Sequence, residues 1–428
     1  NAAAKHFPST EWVRVFPKPW DISSKIYTYL AQKPPRPQTD RYSRAVDHAR
    51  KAFSVPRVAP FHINDAIRHY QHPDRSPGLP YTRQGYKRKD EVHPNIIKQF
   101  VHNLKYGIYT KCRTPCNAIA KSIVAPKAKS RLIWVYPAHM TFAEGMFAQP
   151  LISRYISQRG PYGLWLNYSK GHMRYLQSQG KYWLGLDWTN FDAHVPAWLI
   201  RDAFDILKAN IDFTHYEFWG YPTSSETLPR LWSRIVKYFI DTPVCLPNGR
   251  IVVKHHGIPS GSYFTNLIGS ICNYIIVDYL LSGSRYSRRN FWVMGDDSLI
   301  EVFDKIDVEV LAGLAKAVFG MLLNTSKAEQ GKYVSFLGYR MSPSGIPMAR
   351  FDKLLAQLLL PAVSDRSMSD FVSRGKALQL SCFGLGCTDF TYMVQNFLDC
   401  LNVDIDVPKL HHRDDLFVKL EAMDLAHW

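Results

Sequence analysis

The sequence predicts a mixed α/β (α+β) fold in which an antiparallel sheet is backed by helices. Short apolar runs at residues 182–186 and 291–294 are typical of buried strands, and acidic residues follow each of them closely. Residues 265–279 are apolar on nearly every side, which predicts a helix buried behind that sheet. Helical periodicity dominates again from residue 349 onward.

Length and charge restrict the class of protein. The chain has 428 residues, of which 46% are hydrophobic, enough for a large core divided into two or three subdomains. Its net charge is +17, and residues 81–131 concentrate the surplus, with twelve basic residues against two acidic ones. A folded patch of this sign is expected to bind phosphates of a nucleic acid or of a nucleoside triphosphate. A basic surface that only keeps the protein soluble is the alternative.

Cysteine usage and hydropathy indicate the compartment. Seven scattered cysteines, an odd number, favour free thiols and a reducing environment over a disulfide framework. No apolar run has the length of a membrane span and no signal peptide pattern opens the chain, so we expect no membrane partner. The first residue is Asn1 and not Met, which leaves open whether a segment precedes it.

The amino-terminal part is rich in proline and basic residues. Residues 1–60 predict an extended strap with short helices that wraps another subdomain. A short helix at residues 63–70 follows. In the next segment, residues 75–81, two prolines flank Gly78 close to Ser76, which predicts a rigid bend whose backbone can approach a ligand. An ordinary turn is the alternative here.

A row of cations closes the basic region. Alternation along an extended segment places Lys127, Lys129 and Arg131 on one face, directly before an apolar strand. Arg131 can bind phosphate oxygens in a bidentate manner, which a lysine cannot. The row therefore suits a triphosphate better than a diffuse basic surface would.

Two acidic residues follow the first predicted strand. Residues 182–186 end directly before Asp187, Asp192 comes five residues later, and Pro196 begins an amphipathic helix. Acids spaced in this way at a strand end can point into one cavity from different angles. Helix capping or a turn explains the pair equally well when it is taken alone.

The next segment, residues 208–266, is expected to leave the sheet and then return to it. Residues 208–243 are expected to be mostly helical, and an Asn-Gly pair within residues 244–254 predicts a hairpin. A flexible loop at residues 257–266 then passes into the buried helix. Its backbone can bend and donate hydrogen bonds, although a helix start capped by serine is the simpler interpretation. The loop carries Ser260, Gly261, Thr265 and Asn266.

A second pair of acids lies in a tight turn. The apolar run at residues 291–294 leads through a glycine to Asp296 and Asp297, and a second apolar run leads away, which predicts a strand hairpin with an acidic tip. Residues 308–323 predict a helix, a polar turn with Lys327 follows, and residues 334–339 predict a strand. An isolated Gly-Asp-Asp is more often a solvated hairpin tip, so its meaning depends on the other motifs.

Together these features are what phosphoryl transfer onto a hydroxyl requires. Two Mg²⁺ ions about 3.5–4 Å apart activate the attacking hydroxyl and hold the leaving pyrophosphate. Mg²⁺ prefers few carboxylates plus phosphate oxygens and water. We expect Asp187 and Asp296 to bridge the metal ions and Asp297 to support them, with Mn²⁺ as a possible substitute for Mg²⁺.

The order of these motifs resembles that of the viral RNA-dependent RNA polymerases. Ser-Pro-Gly-Leu-Pro and Lys-x-Lys-x-Arg come first, followed by Asp-x4-Asp, Ser-Gly-x3-Thr, Gly-Asp-Asp and a lysine turn. The residues around Asp187 and Ser260 look like those of the partitivirus group of double-stranded RNA viruses. The resemblance covers about residues 75–340, and the joint pattern is specific where each motif alone was not.

The resemblance implies a right-hand polymerase with fingers, palm and thumb. The expected divisions are fingers with the strap at 1–180, palm at 181–207 and 257–345, a fingers insertion at 208–256 and a helical thumb at 346–428. The implied partners are RNA template and product, ribonucleoside triphosphates and a viral capsid protein. The implied location is the virion interior or the host cytoplasm.

The resemblance also implies a role for each site residue. Asp192 would sense the ribose 2′-hydroxyl, the group that separates RNA from DNA precursors. Lys127, Lys129 and Arg131 would hold the triphosphate, and Ser260, Gly261, Thr265 and Asn266 would position template and nucleotide. Lys327 would donate a proton to the pyrophosphate. Ser76 and Gly78 would line the template entrance, and Phe336 and Gly338 would support the primer end.

One position departs from the pattern. Many positive-strand relatives have Asn four residues after the motif Thr, and this chain has Gly269 there, so Asn266, Ser270 or Asn273 is expected to partner Asp192 instead. Two other classes of protein on a related fold are the alternatives. A reverse transcriptase commonly has an aromatic residue over the 2′ position, and a non-catalytic RNA-binding protein on a decayed fold should have lost a metal ligand. Neither feature is found in this sequence.

Overall fold

The computed structural model describes residues 3–401 of the chain. The helices are α1 Pro19–Thr28, α2 Asp40–Ala52, α3 Ile63–Arg68, α4 Pro94–Lys105, α5 Ala138–Ser157, α6 His172–Gln179, α7 Phe191–His194, α8 Ala197–Lys208, α9 Thr227–Ile240, α10 Thr265–Leu280, α11 Val308–Phe319, α12 Phe351–Leu359, α13 Met368–Leu380 and α14 Thr388–Leu401. The strands are β1 Val13–Arg14, β2 Cys116–Ser122, β3 Val124–Ala125, β4 Ser130–Val135, β5 Trp183–Leu186, β6 Pro243–Cys245, β7 Ile251–Val253, β8 Tyr286–Met294, β9 Asp297–Val302, β10 Glu329–Gly331, β11 Ser335–Phe336 and β12 Tyr339–Arg340. Short 3₁₀ turns occur at Ala3–His6, Tyr81–Gln84, Lys89–Glu91, Gly163–Trp165, Tyr168–Lys170, Leu281–Gly283 and Thr325–Lys327.

The central sheet consists of four antiparallel strands in the order β10-β5-β9-β8. Its buried strands are apolar, as predicted, and helix α10 packs behind them. Tyr274 of this helix stacks on Phe291 of β8, with ring centroids 4.3 Å apart. Fourteen residues of α10 are buried, which explains why its sequence is apolar on nearly every side. The predicted α/β architecture, an antiparallel sheet backed by helices, is confirmed.

A second sheet carries the basic segment. Its order is β4-β2-β6-β7, with β2 and β6 parallel and the other pairs antiparallel. β6 and β7 form the hairpin that the Asn-Gly pair predicted. Strand β4 contains Arg131, and Lys129 directly precedes it, whereas Lys127 lies in the bend before the strand and is exposed.

The amino-terminal strap lies across the helices behind the central sheet. Trp198 donates a hydrogen bond from its indole to the Pro34 carbonyl at 2.9 Å, and the Arg41 guanidinium donates to the Tyr279 carbonyl at 2.7 Å. Tyr29 packs edge-on against Trp134 of β4, with centroids 5.0 Å apart. Residues 29–41 therefore join the two sheets from outside. The strap is more helical than its prolines predicted, because α2 extends over 13 residues.

Two sequence-based predictions of secondary structure were wrong. Residues 208–243 were expected to be mostly helical, but only Thr227–Ile240 is a long helix, because residues 209–226 run through turns and bends, in which Gly220 adopts a left-handed φ of +89°. Residues 334–339 were expected to form one strand. Leu337 and Gly338 have φ values of +51° and +84°, so the segment turns back on itself as the hairpin β11–β12.

The helices α12, α13 and α14 form a separate apolar cluster. Leu358, Phe371 and Phe390 lie at its centre, and Phe7 from the amino terminus packs against Phe371 with centroids 5.4 Å apart. This agrees with the helical pattern predicted from residue 349 onward. The last 27 residues of the predicted thumb segment, 402–428, lie outside the described residues.

Two expectations about the whole chain can be compared with the fold. The seven cysteines are free thiols, as predicted, and Cys400 is the exposed one. Between residues 3 and 401, no helix combines the length and apolar character needed to cross a membrane.

Candidate active site

Three acidic side chains meet at one end of the central sheet. Leu186 faces Ser298 across the antiparallel pair β5–β9. The next facing positions are therefore Asp187, which follows β5, and Asp297, which begins β9. Asp296 occupies the turn between β8 and β9, where Met294 pairs with Asp297. Acids more than a hundred positions apart in sequence are brought together, as the motif order predicted.

Helix α10 holds the acidic turn, residues 295–297, in place. The Ser270 hydroxyl accepts a hydrogen bond from the Gly295 N–H at 2.7 Å. The Asn273 amide donates to the carbonyls of Gly295 and Asp297 at 3.1 and 3.3 Å. Its oxygen accepts from the Trp188 indole at 3.0 Å. The sequence signal for this support is a pair of polar residues on an otherwise apolar buried helix.

Burial, with repulsion from neighbouring acids, raises the pKa values of Asp296 and Asp297. Burial, followed by repulsion from Asp296 and Asp187, raises the pKa of Asp297 to about 7. Burial also raises the pKa of Asp296, while the nearby Arg131 and Lys129 act in the opposite direction. Both side chains reach solvent, although protein atoms surround them closely. Such a group of like charges costs free energy unless a cation is bound.

The donor set suits a hard divalent cation. Among residues 3–401, no group of three or more His, Cys, Asp or Glu side chains is close enough to hold a metal ion by itself. The predicted site, with two bridging carboxylates and a supporting one, did not require such a complete protein cage. Mg²⁺ uses one or two carboxylates together with phosphate oxygens and water. Carboxylate oxygens on adjacent strand ends, crowded enough to raise the pKa of Asp297, fit that kind of site.

Asp192 lies on the short helix α7, beside the acidic turn. Burial and repulsion from Asp296 raise its pKa to about 7, and Arg131 lowers it. Its backbone carbonyl accepts a hydrogen bond from the Ile258 N–H at 2.7 Å. Asp192 is thus linked to the acids, to the basic strand and to the loop before α10.

The site loop, residues 257–264, packs against strand β4. The Ser260 hydroxyl accepts from the Trp134 N–H at 3.1 Å. A Cβ on Gly261 would lie 1.7 Å from the Trp134 carbonyl oxygen, so only glycine permits this approach. The Thr265 hydroxyl donates to the Pro259 carbonyl at 2.6 Å. The hydroxyls that the motif singles out therefore shape the loop in this structure.

Two buried ionisable side chains that the sequence reasoning missed hold this loop at its two ends. The Glu144 carboxylate accepts from the Ser262 hydroxyl at 2.9 Å and from the Tyr263 N–H at 2.8 Å. The Lys254 ammonium donates to the Gly257 carbonyl at 2.8 Å, and also to carbonyls at the end of α9. Burial raises the pKa of Glu144 to about 8 and lowers that of Lys254 to about 7.

Asn266 is one of the three residues expected to partner Asp192, because Gly269 stands where many relatives have Asn. Ser270 and Asn273, two of the three expected partners of Asp192, are already bonded to the acidic turn. Asn266 is exposed in the first turn of α10, its side-chain oxygen accepts from the Tyr162 hydroxyl at 2.8 Å, and its nitrogen lies beside Gly295. Asn266 therefore remains the available candidate.

Lys327 and the predicted primer segment lie on the other side of the acids. The Lys327 ammonium is 3.9 Å from an Asp187 carboxylate oxygen, and both side chains are accessible to solvent. Phe336 is buried, and its carbonyl accepts from the Tyr168 hydroxyl at 2.9 Å. Gly338 lies near the ammonium of Lys353, a residue of α12 that lowers the pKa of Asp297. Sequence reasoning missed Lys353, which belongs to no recognised motif.

The predicted template bend is packed against the end of the second sheet. A Cβ on Gly78 would lie 2.5 Å from the Tyr136 carbonyl, and its φ is +68°, so glycine is required here. The Pro77 carbonyl accepts from the Ala138 N–H at 2.8 Å. Ser76 is exposed, and its carbonyl accepts a hydrogen bond from the Lys89 ammonium.

An antiparallel sheet with acids at its strand ends, faced by a basic strand and backed by a buried helix, defines the palm of a right-hand polymerase. A comparison with models of protein families narrows this class to one family. The model of the viral RNA-dependent RNA polymerase family matches residues 21–357, and the chain belongs to that family.

Two curated relatives are RNA-directed RNA polymerases of viruses. The chain is 32% identical to that of Cryptosporidium parvum virus 1 over 198 residues, which cover 44% of this chain and 35% of the relative. It is 25% identical to that of White clover cryptic virus 1 over 296 residues, 64% of this chain and 46% of the relative. The chain thus spans between a third and a half of the length of these relatives.

Solved structures agree in fold. The RNA-dependent RNA polymerase 3Dpol of Sicinivirus superposes with a TM-score of 0.76 at 14% identity, over 99% of this chain and 93% of that one. The insertion-loop deletion mutant of a human picobirnavirus polymerase gives a TM-score of 0.68 at 15% identity, over 93% and 78% of the two chains. At these identities the likeness concerns the fold alone.

Proposed function

We propose that the chain is an RNA-directed RNA polymerase that copies a viral double-stranded RNA genome by two-metal nucleotidyl transfer. The observation that carries the proposal is the meeting of Asp187, Asp296 and Asp297 beside Lys129 and Arg131. Acids grouped against cations in an open site suit a substrate that brings both phosphates and metal ions.

The acids would hold the cofactor and the cations would hold the substrate. Asp187 and Asp296 are the proposed bridging ligands of Mg²⁺, or of Mn²⁺, with Asp297 in support. Bound Mg²⁺ supplies activation of the RNA 3′-hydroxyl and neutralisation of the pyrophosphate that leaves. Lys129 and Arg131 bind and orient the triphosphate, and Lys127, in the adjacent bend, extends the positive charge.

Selection of the nucleotide is assigned to the residues around Asp192. Its carboxylate would accept a hydrogen bond from the ribose 2′-hydroxyl, and Asn266 would contribute a second contact. Ser260, Gly261 and Thr265 would set the backbone of the loop against which template and nucleotide align. The support for this comes from the hydrogen bond between the Asp192 backbone and the loop and from the electrostatic interaction of its carboxylate with Arg131 of the basic strand.

Lys327 is the proposed proton donor to the pyrophosphate. Its ammonium reaches within 3.9 Å of Asp187, so it is close to where the leaving group would be held. Ser76 and Gly78 would line the template entrance, and Phe336 and Gly338 would support the primer end. The corresponding division is fingers at 1–180 and 208–256, palm at 181–207 and 257–345, and thumb at 346–428.

The type of genome, the partners and the location of the protein also belong to this proposal. RNA template, RNA product and ribonucleoside triphosphates are the proposed substrates and products. A viral capsid protein is the proposed partner, and the virion interior or host cytoplasm is the proposed location. Replication and transcription would use the same site.

The decisive experiment is nucleotide incorporation by the purified chain. With RNA template, four ribonucleoside triphosphates and Mg²⁺, labelled RNA is expected. Asp296→Ala should abolish incorporation while RNA binding remains nearly unchanged, because the carboxylate serves the reaction and not the phosphate backbone. The matched control is Asp304→Ala, an exposed acid that lies beyond the opposite end of β9 from the acidic turn. Equal activity of Asp296→Ala and the unchanged chain would refute the proposal.

A further inference from the structure

A groove of about 990 Å³ lies outside the candidate active site. It is bounded by the 3₁₀ turn Tyr81–Gln84, one face of α4 and the segment at residues 108–114. The residues that line the groove include none of the acids, cations or loop residues that were assigned to the candidate active site. Sites for small organic ligands measure about 300–1,000 Å³, so this groove has room for more than one nucleotide.

Aromatic rings form the floor of the groove. The Phe100 and His139 rings have centroids 4.3 Å apart, and the Tyr81 hydroxyl bonds to the His139 imidazole at 2.7 Å. Tyr109 stands at the rim, 45% exposed, with its ring centroid 6.4 Å from that of Phe100. An exposed ring above an aromatic floor is a platform on which a flat base can stack.

A row of side-chain amides forms one wall. Asn95, Gln99 and Asn103 are four residues apart on α4, and all three line the groove. The Gln99 nitrogen donates to the Asn103 oxygen at 2.9 Å, which orients that pair. Amides offer both donors and acceptors, which match the edges of nucleobases.

The charge of the groove favours phosphate. Its lining includes Lys111 and Arg113 and no acidic residue. Both cations are exposed, and within residues 3–401 neither side chain forms a hydrogen bond or an ion pair. The sequence contains no acid between Glu91 and Glu144, so no nearby carboxylate along this stretch of the chain competes for them. Unpaired cations beside stacking rings are the combination that single-stranded nucleic acids bind.

We infer that this groove binds a single-stranded RNA segment of about two or three nucleotides. The bases stack against Tyr109 and meet the amides of α4, and the phosphates lie on Lys111 and Arg113. The groove shares Pro80 with the proposed template bend, so the same strand can continue from one to the other. The inference rests on the proposed function only in that RNA is the nucleic acid.

Crosslinking tests the location. A 12-nucleotide oligouridine with 4-thiouridine at single positions is irradiated with the full chain carrying Asp296→Ala, and the crosslinked peptides are identified. Crosslinks within residues 95–114 are expected. Crosslinks confined to other segments would overturn the inference. Since the variant is inactive by design, the outcome does not depend on polymerase activity.

Substitutions test the chemistry. Lys111→Ala combined with Arg113→Ala should weaken oligouridine binding about tenfold at 0.1 M salt and flatten the salt slope by about 1.4, because each phosphate contact contributes about 0.7 for single strands. The control pair, Arg289→Ala with Lys305→Ala, removes the same charge from exposed positions outside the groove. Equal losses in the two double variants would mean that only net charge matters, and would overturn the inference.

Two substitutions of Tyr109 distinguish base stacking on its ring from hydrogen bonding by its hydroxyl. Tyr109→Ala should weaken binding about tenfold, whereas Tyr109→Phe should bind as the unchanged chain does. Groove crosslinks, together with no incorporation by the unchanged chain, would refute the polymerase function and leave the groove inference standing. Incorporation without groove crosslinks or binding losses would refute the groove alone.

Discussion

At the scale of single residues, Asp192 connects nucleotide choice to the acids. Its carboxylate is close to Asp296 and Arg131, and its backbone bonds to Ile258 of the site loop. We predict that Asp192→Ala lowers the preference for ribonucleotides over deoxyribonucleotides by at least about tenfold, because the 2′-hydroxyl loses its partner. Competition between labelled nucleotides measures this. Asp205→Ala, an exposed acid on α8, is the control, and unchanged discrimination in Asp192→Ala would contradict the role.

Arg131 tests the geometry of phosphate binding. Replacing it with lysine keeps the charge and removes the planar fork that binds two oxygens at once. Arg131→Lys should therefore raise the KM for nucleotides about tenfold and change kcat much less. Steady-state incorporation at varied nucleotide concentration measures both. Lys121→Ala, which faces Arg131 across the β2–β4 pair, should leave the KM unchanged. A KM that does not move in Arg131→Lys would rule out bidentate binding.

At the scale of elements, α10 is the support of the acidic turn. Asn273→Ala removes donors from two turn carbonyls and the acceptor of the Trp188 indole. We expect about 1–3 kcal/mol of lost stability and a loss of activity beyond tenfold, since small displacements of reacting groups are costly. Urea unfolding and incorporation rates are the measurements. Cys272→Ala, a buried neighbour on the same helix with no bond to the turn, should keep its activity. Equal loss in both variants would mean general helix damage.

The site loop and α5 are joined by Glu144, whose titration affects stability. Its folded-state pKa of about 8 lies above the ordinary value of 4.5, so the folded protein binds the proton more tightly than the unfolded chain does. The associated stability is present below pH 4.5 and is lost as the pH rises towards 8. In Glu144→Gln this loss should disappear, a difference of at most about 1.4 kcal/mol per pH unit.

Unfolding free energies of the two chains between pH 5 and 8 measure the effect. Asp205→Asn serves as the control, since it replaces an exposed carboxyl on α8 with the same amide chemistry. Parallel pH curves for Glu144→Gln and the unchanged chain would show that this carboxyl does not titrate in the window. Incorporation by Glu144→Gln reports separately whether the loop keeps its shape.

At the scale of the whole molecule, a metal ion would join distant parts of the chain. Asp187 follows β5 and Asp296 lies in the turn between β8 and β9, and their repulsion opposes folding. Mg²⁺ at ten times its dissociation constant should stabilise the fold by about 1.4 kcal/mol and raise the Tm by about 1–2 °C. Chelation should reverse both. Thermal unfolding against Mg²⁺ concentration is the measurement, and the same rise in Asp296→Asn would place the metal elsewhere.

The motifs of this chain were readable without a structure because they depend on local chemistry. Strand runs ending in acids, the Asn-Gly hairpin and the apolar α10 follow from side-chain periodicity and turn preference, and the structure confirms them. The break at Leu337 and Gly338 was missed because the apolar run at residues 334–339 indicates one strand, whereas both residues adopt a left-handed backbone and turn the chain back. Likewise, hydrophobic periodicity does not predict the irregular segment at residues 209–226, before α9.

What the sequence determined by itself is the fold class, the family resemblance and the residue types of the site, because each is written in local spacing. Tertiary structure alone decided which groups meet. Strand register places Asp187 opposite Asp297. Ser270 and Asn273 bind the backbone of the acidic turn. Folding also brings Glu144 and Lys254 to the site loop. The physical reason is that hydrogen bonds and charges act over a few ångströms in space, and such distances between remote positions exist only after the chain has folded.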